Sequence, residues 1–220
     1  MNNYKEIEHL RNVDERLAKV IDHIGYLDFE SNYQYDSFRF LVSEIVGQMI
    51  SAKVRKIIFN RLLELCDNNL NPHNVSNLSI QDLRKIGLSQ SKSKYILNLA
   101  NLVKNEQIDF AHLNSLNDED VISELKKIDG VGNWTSKMYL LFFLKREDIL
   151  PYEDGAFIQS FKWLYNTKST KRDNIVRKCK KWKPYSSLGA RYLYQALDRG
   201  LTKIPIKVFL KDLYEKSSDS

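Results

Sequence analysis

Two glycines separated by one residue, Gly130 and Gly132, interrupt a helical sequence pattern. Neither carries a Cβ, so the backbone can adopt a positive φ and another chain can approach it closely. A helix is predicted to resume near Trp134, and its free N–H groups and positive dipole end would favour an anion such as a phosphate. By itself the tripeptide more often marks only a tight turn. Lys126 and Lys127, with an apolar helix on each side, favour an anion-binding hairpin.

A concentration of positive charge lies further along the chain. The protein has 34 basic and 28 acidic residues, a formal net charge of +6. Between positions 168 and 183 a single acid, Asp173, stands among eight basic residues: Lys168, Lys171, Arg172, Arg177, Lys178, Lys180, Lys181 and Lys183. Both a solvated helix face and a patch that contacts phosphates fit this run.

Helical periodicity dominates the sequence and predicts an all-α fold. Apolar residues at steps of three and four predict one helix over 7–24 and another over 38–49, with Ser37 as its N-cap. The Asn-rich segment 67–77 predicts a loop. Further helices are predicted over 79–87, 91–104, 118–128, 134–144, 154–165, 171–181, 186–201 and 206–215. Eight glycines and four prolines are too few for the many tight turns of a sandwich or barrel.

Several classes of protein are excluded by composition. No run of about 18 apolar residues could form a membrane span, and the polar residues 1–8 do not resemble a secretory signal. Two cysteines, Cys66 and Cys179, cannot build a disulfide scaffold or hold a four-cysteine iron–sulfur cluster. We therefore expect a cytoplasmic protein, associated with the nucleoid if bacterial.

Four ordered segments resemble one family of DNA repair enzymes. They read Ile-Val-Gly-Gln-Met-Ile-Ser (45–51), Gly-Leu-Ser with Lys92 and Tyr95 (87–95), Gly-Val-Gly-Asn-Trp-Thr continuing to Asp-Ile-Leu-Pro-Tyr-Glu-Asp (130–154), and Trp-Lys-Pro-Tyr-Ser-Ser-Leu-Gly-Ala-Arg-Tyr-Leu-Tyr (182–194). Together these resemble the helix–hairpin–helix/Gly-Pro-Asp DNA glycosylase superfamily, and most closely its DNA-3-methyladenine glycosylase II branch, the alkylpurine glycosylases.

The resemblance implies two helical lobes with a DNA-binding cleft between them. The central lobe would span about 37–133 and end in the hairpin, and the second lobe, 1–36 plus 134–220, would carry the catalytic aspartate. The implied function is excision of alkylated purines, of the 3-methyladenine and 7-methylguanine type, from double-stranded DNA by base flipping. The alternatives are a glycosylase for hypoxanthine, ethenoadenine or uracil, and a non-catalytic helix–hairpin–helix module that only holds DNA.

Asp154 matches the family's catalytic aspartate. Breaking an N-glycosidic bond develops positive charge at C1′, and a nearby carboxylate can stabilise that charge or orient the attacking water. Without the resemblance, Asp154 would most simply be a helix N-cap, and the two roles are compatible. Glu153 and Asp148 are the competing acids.

The resemblance also places residues against the DNA. Met49 occupies the position of the side chain that fills the gap left by the flipped base, although a buried core position on the 38–45 stripe is the alternative. The other DNA contacts that it implies are Gln48, Gly130, Val131, Gly132 and Thr135.

Alkylated purines carry delocalised positive charge, which an electron-rich aromatic pocket binds by stacking and cation–π attraction. Trp134, directly after the hairpin, is the first candidate for this pocket. Tyr194 stands where the family often has tryptophan, and Tyr139 is a third candidate.

Members of the superfamily that also cut the strand have a Schiff-base lysine two residues after the second glycine, where this chain has Trp134. The resemblance therefore implies monofunctional hydrolysis without lyase activity. It also implies a monomer that requires no cofactor and has no iron–sulfur cluster. A sodium or potassium ion could be bound by the main-chain carbonyls of Lys126, Ile128 and Val131.

Overall fold

The structure is a computed structural model that describes residues 3–27 and 36–211. Within these ranges the regular secondary structure is helical and contains no strand, as predicted. None of the described helices is long and apolar enough to cross a membrane. The described residues divide into two compact units, a central unit (36–144) and a terminal unit (3–27 with 145–211).

The α-helices follow one another through short turns. In chain order they are α1 (Tyr4–Val13), α2 (Glu15–Ile24), α3 (Ser37–Gly47), α4 (Ala52–Leu65), α5 (Pro72–Ser76), α6 (Ile80–Lys85), α7 (Gln90–Lys104), α8 (Phe110–Ser115), α9 (Asp118–Leu125), α10 (Asn133–Met138), α11 (Gly155–Tyr165), α12 (Arg172–Cys179) and α13 (Ser186–Asp198). A π-helix, Tyr139–Phe143, continues α10, and 3₁₀ turns cover Lys180–Trp182 and Leu201–Lys203. Residues 206–211 are also helical, and the rest of the predicted helix 206–215 lies outside the described residues.

The apolar stripe predicted as one helix over 7–24 is split into two helices at Asp14. The residue has extended backbone (φ −141°, ψ 94°), and its carboxylate accepts hydrogen bonds from the N–H groups of Arg16 and Leu17, both at 3.2 Å. An aspartate in this geometry is an N-cap, so α1 ends and α2 begins where the apolar spacing gives no sign of a break.

Asp14 also organises the core of the terminal unit, where it is almost fully buried. Its Oδ2 accepts hydrogen bonds from the Tyr165 hydroxyl and from Trp182 Nε1 at 2.8 Å, and Lys181 Nζ lies 3.1 Å away. One carboxylate therefore joins α2, α11 and the 3₁₀ turn after α12. Burial raises the pKa of the Tyr165 hydroxyl, and the adjacent carboxylate raises it further.

The central unit is built around α3, which is buried along almost its whole length. Its N-cap is Asp36, whose side chain accepts from the Arg39 N–H at 2.8 Å. The prediction that Ser37 is the cap is wrong, because Ser37 Oγ instead accepts a hydrogen bond from the Tyr139 hydroxyl. Met49 is likewise absent from the stripe, since α3 ends at Gly47.

Two local predictions nearby have different outcomes. The helix predicted from Ser79 is present as α6, where Ser79 and Asp82 form a reciprocal capping box and Gly87 follows with φ +107°. The predicted loop 67–77 is only partly a loop, because Asn71 caps the short helix α5, which begins at Pro72.

The segment 134–144 belongs to the central unit and not, as predicted, to the lobe that carries Asp154. It packs against α3 and α9. The rings of Tyr139 and Phe143 contact Phe40 of α3, with centroids 5.7 and 5.5 Å away. This aromatic packing attaches segment 134–144 to the central unit.

We expect Asp14→Ala to lower the free energy of unfolding by about 3 kcal/mol, because it removes an N-cap and leaves buried donors without their acceptor. Asp22→Ala is the control. It removes a carboxylate on the same helix whose partner, Arg11, is exposed, and we expect about 0–1 kcal/mol. Chemical denaturation measures both, and equal losses would contradict the role assigned to Asp14.

Candidate nucleic-acid interface and catalytic carboxylate

The hairpin of the central unit joins α9 to α10. The Val131 N–H donates to the Ile128 carbonyl at 3.0 Å, which closes the turn, and both side chains are buried. Gly130 has φ +79°, and a Cβ there would lie 2.2 Å from Cδ2 of Tyr95 on α7. Glycine is therefore required at this position both for backbone conformation and for space.

Gly132 has a different environment. It is the N-cap of α10 with φ −105°, and a Cβ at this position would meet no atom within 4 Å. Since the residue is exposed, the open space over it leaves the backbone accessible to another molecule. The two glycines thus differ in role: the first fits the hairpin against α7, and the second faces solvent.

Gln48, predicted to contact DNA, is bound to the hairpin itself. Its Nε2 donates to the Gly130 carbonyl at 2.8 Å and lies 3.4 Å from Thr135 Oγ1. Thr135 is buried, so its side chain supports the hairpin from inside. Both residues position the hairpin, and any contact of theirs with DNA stays a prediction.

A turn follows α3 and places Met49 at the surface. The Met49 side chain is fully exposed, with a relative accessibility of 101%, so the alternative of a core position is wrong. Its φ is +57°, a conformation that non-glycine residues seldom adopt.

Lys92 of α7 lies beneath this turn. Its Nζ donates to the carbonyls of Val46 at 2.9 Å and Gln48 at 2.6 Å. Burial lowers the pKa of Lys92, since a desolvated ammonium is less favourable. The sequence predicts no role for either Lys92 or Tyr95. Both residues belong to the segment 87–95 that resembles the family, and this resemblance is the feature of the sequence that could have identified them.

The three aromatic candidates for the base pocket have different surroundings. Trp134 lies half-buried in the first turn of α10, and Tyr194 lies half-buried on α13 of the terminal unit. Tyr139 is fully buried, and its hydroxyl donates to Ser37 Oγ at 2.8 Å and Asn114 Oδ1 at 2.7 Å. Burial raises the pKa of Tyr139 to about 12. The prediction that Tyr139 lines the pocket is wrong, because this ring is part of the core of the central unit.

Asp154 of the terminal unit is the N-cap of α11. Its Oδ1 accepts from the Phe157 N–H at 2.7 Å, and its own N–H donates to the Pro151 carbonyl at 3.0 Å. The residue is only 8% exposed, so the carboxylate has one well-defined orientation. The capping role is thereby confirmed, and the catalytic role stays a prediction.

The loop before Asp154 is held by two serines of α13. The Ser187 hydroxyl donates to the Arg146 carbonyl and accepts from the Ile149 N–H, and the Ser187 N–H donates to the Glu147 carbonyl. Ser186 donates to Asp148. Segments 146–154 and 182–194, matched separately in the sequence, therefore form one hydrogen-bonded assembly.

The neighbouring acids have other surroundings. Asp148 accepts a hydrogen bond from Ser186 and forms an ion pair with Lys183 Nζ at 2.9 Å. It therefore stabilises the loop before Asp154. Glu153 is exposed on the turn before α11. Asp154 is the one of the three that is buried.

The basic run on and around α12 divides by environment. Lys181 pairs with Asp14 and Lys183 with Asp148, while Arg172 lies 4.9 Å from the Tyr152 ring centroid. Lys168, Lys171 and Lys180 are exposed. Part of the run therefore stabilises the terminal unit, and contact of the exposed part with phosphates stays a prediction. Within the described ranges, no group of three or more His, Cys, Asp or Glu side chains is arranged to hold a metal ion.

The fold and the hairpin define an all-α protein with a helix–hairpin–helix motif. Residues 42–184 match the family described as HhH-GPD superfamily base excision DNA repair protein. The chain belongs to this superfamily.

Individual relatives agree with this assignment. The chain is 27% identical over 200 residues to the alkylbase DNA glycosidase-like protein mag2 of Schizosaccharomyces pombe, covering 88% of this chain and 94% of that protein. A DNA-3-methyladenine glycosidase of Bacillus halodurans is similar in structure, with a TM-score of 0.75, 29% identity, and coverage of 89% of this chain and 91% of that one. The S. pombe 3-methyladenine DNA glycosylase Mag1, solved with abasic DNA, has the same fold at a TM-score of 0.78 and 23% identity, with 87% and 96% covered.

The two glycines of the hairpin provide a matched pair of substitutions. We expect Gly130→Ala to lower the free energy of unfolding by about 2 kcal/mol or more, through the positive φ and the contact with Tyr95. Gly132→Ala should leave it within about 1 kcal/mol, because the site is open and its φ suits alanine. Denaturant titration of both variants tests this, and a costly Gly132→Ala with a harmless Gly130→Ala would overturn the assignment.

Proposed function

We propose that this protein is a monofunctional DNA glycosylase that excises alkylated purines during base excision repair. Family membership supports the enzyme class, and the names of mag2 and the Bacillus glycosidase support the substrate class. We propose DNA as the macromolecular partner and a monomer as the working form. A DNA repair enzyme of this kind is expected to act in the cytoplasm, at the nucleoid in a bacterium.

The observation that carries this proposal is the buried, single-orientation carboxylate of Asp154. Its loop is fixed by Ser187, and its Oδ1 is fixed by the Phe157 N–H. A charge held in place before the reaction needs no reorganisation when positive charge develops on the sugar, which is the main way that enzymes stabilise such transition states.

The proposed reaction breaks the bond between C1′ and the purine nitrogen. The bonding electrons leave with the base, so an alkylated purine that was cationic departs neutral and needs no proton from the enzyme. Asp154 stabilises the positive sugar, water adds its oxygen to C1′, and its proton is lost to the carboxylate or to solvent. The products are a free base and an abasic site. With Trp134 where strand-cutting relatives have lysine, no side chain at that position can form a Schiff base, so the backbone stays intact.

The base must leave the duplex before this chemistry can occur. We propose that the backbone of Gly130, Val131 and Gly132 binds phosphates and that Met49 fills the space left in the base stack. Full exposure of Met49 supports this, since an exposed apolar side chain gains burial when it enters DNA. Trp134 and Tyr194 are the aromatic residues proposed to bind the cationic base.

We also propose an alkali cation at the hairpin, with no other cofactor required. The main-chain carbonyls of Lys126, Ile128 and Val131 would bind it, and carbonyl oxygens suit potassium and sodium. The Ile128 carbonyl accepts the Val131 N–H in the turn, and a carbonyl has two lone pairs, so it can also bind a cation. When bound, the ion would add positive charge beside the phosphate.

We expect Asp154→Asn to lower the rate of 7-methylguanine release from methylated DNA by at least ~100-fold. Asparagine is as good an N-cap as aspartate, so the variant should keep its fold and lose only the charge. Chromatography of the released bases measures the rate.

Two companion variants sharpen this test. Asp198→Asn makes the same change at an exposed position on α13, and its rate of base release should equal that of the wild type. Glu153→Gln tests the neighbouring acid and should lose less than Asp154→Asn. Full activity in Asp154→Asn would refute the catalytic role, and release of hypoxanthine, ethenoadenine or uracil in preference to alkylated purines would refute the substrate class.

We expect Met49→Ala to reduce excision from duplex DNA roughly tenfold while single-stranded DNA is affected little, because only a duplex has a stack to fill. Excision rates on matched oligonucleotides measure the ratio. Val208→Ala, another exposed apolar residue, is the control. Equal losses on the two substrates would contradict the proposal that Met49 fills the space in the base stack.

A further inference from the structure

The turn that presents Met49 has the geometry of a type II β-turn. Gln48, its second residue, has φ −54° and ψ 129°, and Met49, its third, has φ +57°. The Ile50 N–H lies 3.4 Å from the Gly47 carbonyl, as expected for the closing hydrogen bond. Type II turns require a positive φ at the third residue and therefore favour glycine or asparagine there. Methionine at this position is strained.

An unstrained alternative is close in conformation. A type I turn joins the same flanking residues but gives the third residue a negative φ. The two turns differ mainly by rotation of the central peptide group, here the one between Gln48 and Met49, which reverses the direction of the Gln48 carbonyl. Without an added interaction, a methionine at this position would favour type I.

The interaction that opposes this rotation comes from α7. The Lys92 ammonium lies 2.6 Å from the Gln48 carbonyl oxygen and 2.9 Å from the Val46 carbonyl oxygen. A hydrogen bond from a charged donor is about twice as strong as a neutral one. Because the first bond is made to the central peptide of the turn, it exists only while that carbonyl points towards α7.

We propose that Lys92 is a positioning residue that holds the Gln48–Met49 peptide in the type II orientation and so aims Met49 at the base stack. This inference rests on the proposed function, since it assigns a purpose to the exposed methionine. A strained residue persists only where its surroundings determine its conformation, and such residues are concentrated at functional sites.

The same turn is attached to the hairpin through the Gln48 side chain. Its Nε2 donates to the Gly130 carbonyl at 2.8 Å, while its main-chain carbonyl accepts from Lys92. The two ends of one residue thus connect the Met49 turn to the backbone proposed to bind phosphate. Binding at the hairpin and the position of Met49 are coupled through this residue.

The test compares Lys92→Met with Lys94→Met in the full chain. Methionine keeps most of the apolar stem of Lys92 but donates no hydrogen bond, and Lys94 is an exposed lysine on the same helix. We expect Lys92→Met to lower alkylpurine excision from duplex DNA by roughly tenfold, with single-stranded DNA changed less than about twofold. Lys94→Met should leave both rates unchanged.

Met49→Gly supplies the second arm, because glycine adopts a positive φ without strain and has no side chain to insert. Adding Lys92→Met to Met49→Gly should change the rate of excision from duplex DNA by less than about twofold. The effects of two substitutions are not additive when one residue acts through the other. The double variant should also fold, because the strain that Lys92 opposes is gone.

A structural measurement determines the type of the turn that carries Met49 independently of enzymatic activity. In free protein, the nuclear Overhauser effect between Gln48 Hα and the Met49 amide proton is strong in a type II turn and weak in a type I turn. We expect it to be strong in wild type and Lys94→Met, and weak in Lys92→Met.

Three results would overturn the proposal: equal losses on duplex and single strand, additive losses in the double variant, or an unchanged Overhauser effect in Lys92→Met. A wild type that releases no alkylated base would instead refute the proposed function. The Overhauser measurement would then still decide whether Lys92 sets the turn.

Discussion

The close approach of the Tyr95 ring to Gly130 is the constraint on which the central unit's proposed interface depends. A hydrogen atom fits between this ring and the backbone, and a methyl group does not. The contact fixes the hairpin against α7, the helix that also supplies Lys92. Because the Gln48 amide is bonded to the Gly130 carbonyl, the Met49 turn takes its position from the same helix. One helix therefore positions both the hairpin backbone that we propose binds phosphate and the turn that carries Met49.

The terminal unit fixes the side chain of Asp154 in a comparable way, through polar contacts of the loop that precedes it. Asp154 is held by the helix that it caps, and the loop before it is held by hydrogen bonds to Ser187 and the pair between Asp148 and Lys183. Further into the unit, Asp14 satisfies the buried polar groups of Tyr165 and Trp182. The contacts of Asp154 and of the loop before it orient the carboxylate, as the proposed stabilisation of a sugar cation requires.

The errors of sequence reasoning have identifiable physical causes. The spacing of apolar residues from Ile7 to Ile24 is continuous, and only the backbone of Asp14 reveals that two helices meet there. Ser37 and Asp36 are both of residue types that commonly cap helices. The Ser37 hydroxyl instead accepts a hydrogen bond from the Tyr139 hydroxyl, 102 positions further along the chain. The prediction that Tyr139 lines a pocket rests on residue type alone, and residue type does not distinguish a core ring from a pocket ring. The first error depends on the local backbone of Asp14, and the errors at Ser37 and Tyr139 depend on a contact between residues far apart along the chain.

The all-α class, the hairpin and the family can be predicted from the sequence, because helical periodicity, glycine spacing and short motifs are local properties of the chain. The sequence also identifies Asp154 as a cap, since the residue directly precedes an apolar helix. The exposure of Met49, its left-handed backbone and the hydrogen bond from Lys92 to the carbonyl beside it follow only from the folded chain. Lys92 and Gln48 are 44 positions apart, and a hydrogen bond over such a separation forms only when packing of the core brings α3 and α7 together.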